Sequence, residues 1–551
     1  MSKWIWAVGM CGVAGTSTIA QAQVRLDRAD PSVIQQSLPP AEVPHTRPDV
    51  ALTAEATATD PASTPPITPV VQAVTVHGRG GIPAEQFASV IAGAVGRTLT
   101  REDLSQLAGA IADVAKRRGY PLATATVEAQ TLAQGVLRVA LDLGRVDAVR
   151  VIGAKSPLAD AILARALVTG GATRTRDLER AILLVGDIPG IRVKESRFTR
   201  QDGFGILLVT IVEDRASGYL QIDNRGSDEV GPVRSTALAS FRNLAGSGDE
   251  LALIASNTPL QPTEFSFVRG RYSAPVGSSG AFASASASYG RSNPGGSLKP
   301  LDVIGESVDV GAAFTQPLVR SRSHSLWAGV EFRGLSISQT VSDASLRDDR
   351  LALLTATVNG TATLAEGTLR AEFATVIGLP FDGVTRSGDP RSSRFDGDGR
   401  FVTGGYLIDW TRKLGGPYEI VLASAGQIAS RPLLATAEIG AGGPGFGRAY
   451  DYAERTGDQG ILGSVEVRAA TGRVIPGIVD RSQLYGFVDG GVVSNLRGGV
   501  GGGSLASLGG GARFGTGHID GMVEVAVPLN ADRFDTQDRS PRISLRIARL
   551  F

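Results

Sequence analysis

Cysteine is nearly absent from this chain of 551 residues: Cys11 is the only one, and it lies in an N-terminal stretch that reads as a leader. Neither a disulfide scaffold nor a cysteine metal site is therefore available. Histidine is almost as scarce, with only His45, His77, His324 and His518, scattered along the chain. No GxSxG elbow and no HExxH helix occurs, and acid pairs such as Glu102-Asp103 sit where a helix start wants charge. The residues thus point to no enzyme, no metal and no cofactor. An excess of charge of one sign is also missing: the net charge is +1, which gives no pull toward nucleic acid. Beyond the first two dozen residues no uncharged apolar run is long enough for a spanning helix.

What is abundant is glycine, 70 residues without a G-X-Y period. The opening "MSKWIWAVGMCGVAGTSTIAQAQV" has Lys3, an apolar core and the small-residue site Ala20-Gln21-Ala22, the form of a secretory signal peptide over 1–22. Met10 is bulky directly before Cys11, which disfavours a lipid-modified cysteine. Residues 23–38 are compatible with a short helix, and 39–69 are a Pro/Ala/Thr-rich tether. Residues 70–145 and 146–215 then repeat one order of elements, strand–helix–helix–strand–strand, as two small α/β modules. Thr100 is placed to cap the helix that follows it, whose Leu104, Leu107, Ile111 and Val114 share one face.

From 216 onward helical patterns give way to alternation. In "ILGSVEVRA", Ile461, Gly463, Val465 and Val467 face one way while Ser464, Glu466 and Arg468 face the other. In "HSLWAGVEFR", Leu326, Ala328, Val330 and Phe332 oppose Trp327, Glu331 and Arg333. About sixteen such runs fill 216–551, leaving roughly 21 residues for each strand and its turn, as a transmembrane β-barrel requires. A soluble all-β domain would alternate too. It could not place Glu331, Arg333, Glu466 and Arg468 in a dry core without partners, whereas a water-filled lumen can.

The segment "GAGGPGFGRAYDYAERTGDQG" (440–460) contains GxGxxG, but a strand and no helix follows, so the dinucleotide reading fails. A long loop folding back into the lumen would present Arg448 and Tyr450, and a confined guanidinium calls for a carboxylate. Asp489, set among Phe487, Val488 and glycines, is the candidate partner. In these residues the chain resembles the two-partner secretion transporters of the haemolysin secretion/activation type (ShlB/FhaC/HecB), within the superfamily of POTRA-bearing outer-membrane transporters. Gly447-Arg448-Ala449-Tyr450 matches the family's VRGY/F-like loop motif, with glycine for valine and alanine for glycine. Phe487, Asp489 and Gly491 match F-x-D-x-G in full. "LQIDNRGS", "NLAGSGDEL", "RRGYPLA" and "GDIPGI" match earlier in the chain. Val268-Arg269-Gly270 is nearer in letters to VRGY, but it lies in an early strand with no long loop before it, so Arg269 and Arg271 are read as wall charges.

The resemblance implies a barrel of about sixteen strands over 216–551, two POTRA domains (70–145 and 146–215), a plug helix over 23–38 and a periplasmic linker over 39–69. It implies an outer-membrane pore that recognises a large exoprotein with an N-terminal secretion domain and exports it without nucleotide hydrolysis. Further implied partners are outer-membrane lipid and the barrel-assembly machinery, with Phe551 as the terminal targeting residue. Alternatives are a barrel-protein or autotransporter assembly factor of the same superfamily, or a plain porin.

Overall fold

The computed structural model describes residues 30–32, 52–54, 68–127, 135–201 and 203–551. The expected signal peptide lies outside the described residues, as does most of the expected plug helix and linker. The first module is a sheet of three strands, Ala73–His77, Val136–Asp142 and Thr124–Val127 in that order, covered by the helix Arg101–Arg117. Thr100 and Asp103 form a capping box, and Leu104, Leu107, Ile111 and Val114 are buried on the sheet. The first of the two helices expected in this module, over the segment "PAEQFASVIAGAVG" (83–96), is instead a turn of 3-10 helix, Ala84–Phe87, running into the short helix Ala88–Ala92. The second module packs Pro157–Leu167 and Thr175–Gly186 against Ala148–Gly153, Ile191–Gln201 and Phe204–Glu213. Its sheet has a further edge member from the tether: Leu52–Ala54 pairs in parallel with Ser196–Phe198.

Sixteen antiparallel strands close on themselves to form the barrel, the first being Ala216–Asp223 and the sixteenth Arg542–Leu550. Closure removes every sheet edge, the condition for crossing a bilayer with strands. The alternation resolves as the sequence reads. Val523, Val525 and Val527 project outward and are exposed, while Glu524 between them is 2% exposed on the inside. Val330 and Phe332 face out, and Trp327 faces in over the guanidinium of Arg320 at 5.4 Å. An exposed apolar belt of this extent is an aggregation surface in water and a matched surface in lipid. The seam is the weak point of closure. First and last strands share five register pairs, Tyr219–Asp223 with Arg546–Leu550, against seventeen between the sixth (Val303–Arg320) and seventh (His324–Val341).

The second module is fastened to one end of the barrel. Arg320 donates to both oxygens of Asp187 at 2.7 Å each, and Arg180 donates to the carbonyls of Pro317 and Leu318 at 3.0 and 3.2 Å. Leu184 packs where a side chain at Gly280 would sit. At the expected plug, Asp30, Pro31 and Ser32 are all buried, with helical backbone at Pro31–Ser32. Pro31 lies against Gly290 and Gly305 of the inner wall, so this piece of chain is inside the barrel.

Candidate functional site

The loop between the eleventh strand, Tyr418–Ala429, and the twelfth, Gln459–Ala470, folds into the lumen as a hairpin. Ile439–Ala441 pairs with Arg455–Gly457, and the tip is 442–454. Glycine makes the tip possible. Gly442 has φ of +108°, and a Cβ there would stand 2.1 Å from the Asp451 carbonyl. Gly447, with φ of +85°, turns the chain so that its own N–H and that of Arg448 both donate to Asp489 Oδ1, at 3.0 and 3.2 Å.

The structure brings together the predicted loop residues and the predicted strand residues. Asp489 projects inward from the thirteenth strand, Arg481–Ser494, and Arg448 Nε lies 3.0 Å from its Oδ2. That contact is electrostatic: neither atom has a hydrogen-bond partner, because the N–H is not aimed at the oxygen. A bidentate Arg448–Asp489 pair is therefore not what forms. The aligned hydrogen bonds run from Arg448 Nη1 to Glu466 at 2.6 Å and, more weakly, to Glu524 at 3.4 Å. One guanidinium is shared by three wall carboxylates, and its face covers the Phe487 ring at 4.0 Å. Phe487 in turn lies across Gly509 of the fourteenth strand, Gly503–Thr516, where a Cβ would meet the ring at 2.6 Å. The glycine opposite thus gives the aromatic its place. Gly491 is similarly confined, with Leu462 and the Ile461 carbonyl inside 2.6 Å of its would-be Cβ.

Tyr450 is fully buried, and its hydroxyl reaches the carbonyls of Ala506 and Ala531 at 3.2 and 3.1 Å. Phe551 is exposed at the end of the sixteenth strand, its N–H donating to Gly218 at 2.8 Å beneath Arg549. Around the loop the charges interlock. Glu466 also accepts from Arg468 and Arg513, and Glu524 from Arg225 and the Tyr485 hydroxyl. In a low-dielectric setting such a cluster holds only while every charge is matched.

Sequence reasoning missed the loop's outer anchor. Arg394, in the loop 379–401, donates to both oxygens of Asp458 at 2.9 Å, to Glu438 at 3.1 Å and to the Leu496 carbonyl at 2.5 Å. Asp458 is 0% exposed and also takes the N–H groups of Leu433 and Leu496. In the sequence Asp458 is one residue of the glycine-rich stretch Gly457-Asp458-Gln459-Gly460, and nothing in "SSRFDGDGR" marks Arg394 among its neighbours. Nearby, hydrogen bonding by Arg400 holds the Asp398 carboxyl below the usual carboxylate range, with Arg431 adding to the effect. The buried N-terminal piece touches this region as well, Ser32 Oγ reaching Thr436 Oγ1 at 3.1 Å. In combination these contacts place two parts of the chain that are not wall inside the lumen.

Known proteins resemble this chain in sequence and in fold. The family model of the haemolysin secretion/activation protein ShlB/FhaC/HecB matches residues 206–514, and that of the ShlB-type POTRA domain matches 70–142. The heme/hemopexin transporter protein HuxB of Haemophilus influenzae (strain 86-028NP) is 24% identical over 394 residues, covering 70% of this chain and 69% of its own. The solved structure of CdiB from Escherichia coli superimposes with a TM-score of 0.69 at 18% identity, over 97% of this chain and 98% of that one. BamA from Haemophilus ducreyi lacking POTRA domains 1–3 gives 0.53 at 13% identity, over 88% and 100%. These structural likenesses are likenesses of fold.

Proposed function

The chain belongs to the haemolysin secretion/activation protein family ShlB/FhaC/HecB, and from that premise we propose that it captures one large exoprotein with its periplasmic modules and passes it, unfolded, through the barrel. It is an outer-membrane secretion pore with its POTRA region in the periplasm. The observation that carries the finer reading is the filling of the lumen. A bore that holds Asp30–Ser32 and a hairpin fixed through side-chain charges would be obstructed at rest and could reopen without breaking the wall. A plain porin has no use for that arrangement, nor for a module latched at its mouth.

Capture by strand addition is supported by the second module. Its strand Ile191–Gln201 accepts the tether at Ser196–Phe198, just past a bulge at Val193/Glu195. An extended exoprotein segment would compete for the same edge. With no nucleotide outside the inner membrane, net movement would come from folding of the exoprotein beyond the pore. HuxB is named for heme and hemopexin; an exoprotein is the cargo class proposed here, with Gly447, Arg448, Tyr450, Phe487, Asp489 and Gly491 as the loop lock and Phe551 as an insertion signal.

The assembly-factor reading has one observation in its favour, the five-pair seam, which is short enough to part laterally. Deletion of 70–215 tests the choice. Loss of exoprotein from the medium with a folded barrel still in the membrane is expected; export that persists overturns capture by the modules. A cysteine pair locking Ile222 to Ile547 across the seam should leave export intact; loss of export under that lock favours lateral release.

A further inference from the structure

At the periplasmic end of the lumen, a half-open cavity of about 580 Å³ separates the turn Gly186–Arg192 of the second module from the inner wall of strands one to four and sixteen. The charges that line it are unevenly matched. Arg192 has Asp214 at 2.9 Å, and Arg242 has Glu250 at 3.1 Å. Among the described residues Arg271 and Arg546 have no such match: the Nε of each is buried without a hydrogen-bond acceptor. Arg546 stands in register with Asp223, but that carboxylate is already taken by the Gln221 amide at 2.7 Å, the Arg225 N–H at 2.9 Å and Arg234 at 3.8 Å. The register neighbours of Arg271 are Ala252 and Ser286, which carry no charge.

A guanidinium N–H removed from water without an acceptor is costly, and two such arginines lining one chamber attract negative charge. The chamber is far larger than a small ion needs, and it lies between the capture module and the bore. The planar fork of arginine fits a carboxylate through two parallel hydrogen bonds. We propose that this chamber is an anionic-peptide subsite, in which Arg271 and Arg546 bind acidic side chains of an extended polypeptide as it enters the pore. The subsite rests on the secretion reading above. Arg271, which belongs to the decoy segment Val268-Arg269-Gly270-Arg271, thereby acquires a role that the loop motif did not give it.

The test uses purified full-length protein in detergent and a dye-labelled peptide of ten glutamates, with binding followed by fluorescence anisotropy. The Arg271→Gln/Arg546→Gln variant should raise Kd at least tenfold, and the double lysine variant should raise it less. A peptide of ten lysines should not bind. Cold electrophoretic mobility, which reports a closed barrel, shows that each variant is folded. Unchanged affinity in the glutamine variant overturns the subsite, as does displacement by inorganic phosphate at the peptide's own concentration, which would mean a small-anion site. No exoprotein enters this assay, so failure here with export intact removes the subsite alone. Export that persists after deletion of 70–215 removes capture by the modules instead, a separate outcome in a separate assay.

Discussion

Two buried arginines pin the same lumen loop, and they do so in opposite senses. Arg448 belongs to the loop and reaches acids of the wall, Glu466, Asp489 and Glu524. Arg394 belongs to a neighbouring loop and reaches Asp458 and Glu438, which flank the hairpin where it joins the barrel. The inner contact can detach as a unit, since no backbone ladder joins tip to wall; only the Gly447 and Arg448 N–H groups and side chains must let go. The outer contact fixes backbone, because Asp458 holds the N–H groups of Leu433 and Leu496 as well as the cation. Under the proposed function the inner arginine would be a release point and the outer one a pivot.

The sharpest way to break that distinction is Arg448→Ala. It leaves three carboxylates competing for Arg225, Arg468 and Arg513, and removing one member of a buried ionic cluster costs about 3–5 kcal/mol. Export should fall at least tenfold while barrel abundance and cold mobility stay near normal; unchanged secretion would sink the lock. Arg394→Ala should act differently, speeding protease cleavage within 430–458 while reducing export less than Arg448→Ala does. Equal loss of export from both would erase the difference between release point and pivot. A double-mutant cycle of Arg448→Met and Glu466→Gln should show a coupling of about 1–3 kcal/mol in thermal unfolding, and additivity would assign the lock to Asp489 instead. Tyr450→Phe removes a hydroxyl shared by two carbonyls and should cost about 1 kcal/mol, read as a small fall in unfolding temperature.

The smallest effect concerns pH at the outer loops. Asp398 has a depressed carboxyl in the folded protein, so its contribution is present above the unfolded value of about 4 and is lost as pH falls through the folded one. Protease resistance of 379–401 should therefore be flat from pH 8 to 5 and decline only in stronger acid. Decline between pH 7 and 5 would contradict the Arg400–Asp398 contact.

How much of this was legible depends on whether the signal was local. Alternation over ten residues is a property of one strand, so Val523/Glu524 or Val330/Glu331 disclosed their faces without any partner. The loop motif was legible because an arginine and an aromatic among glycines, and an acid among apolar residues, are each expensive until paired. Which acid takes the aligned hydrogen bond was not legible. Glu466 looks like any inward strand residue, and its 2.6 Å contact with Arg448 depends on how the hairpin tip descends. The short helix at 88–92 was overestimated because an apolar pattern says nothing of where the chain must turn back to the sheet.

The sequence by itself determined a lipid-facing cylinder preceded by two small modules, along with an inward loop carrying Arg448, because each of these follows from periodicity or from the cost of an isolated charge. Only the tertiary structure decided that three carboxylates share that arginine, that Arg394 guards the loop's root, that Asp187 of the second module grips Arg320 of the barrel, and that Arg271 and Arg546 are left facing one cavity. Those are meetings of residues from 18 to more than a hundred apart in the chain. Their partners are selected by closure of the barrel and by the descent of the hairpin, and no pattern within a single strand discloses them.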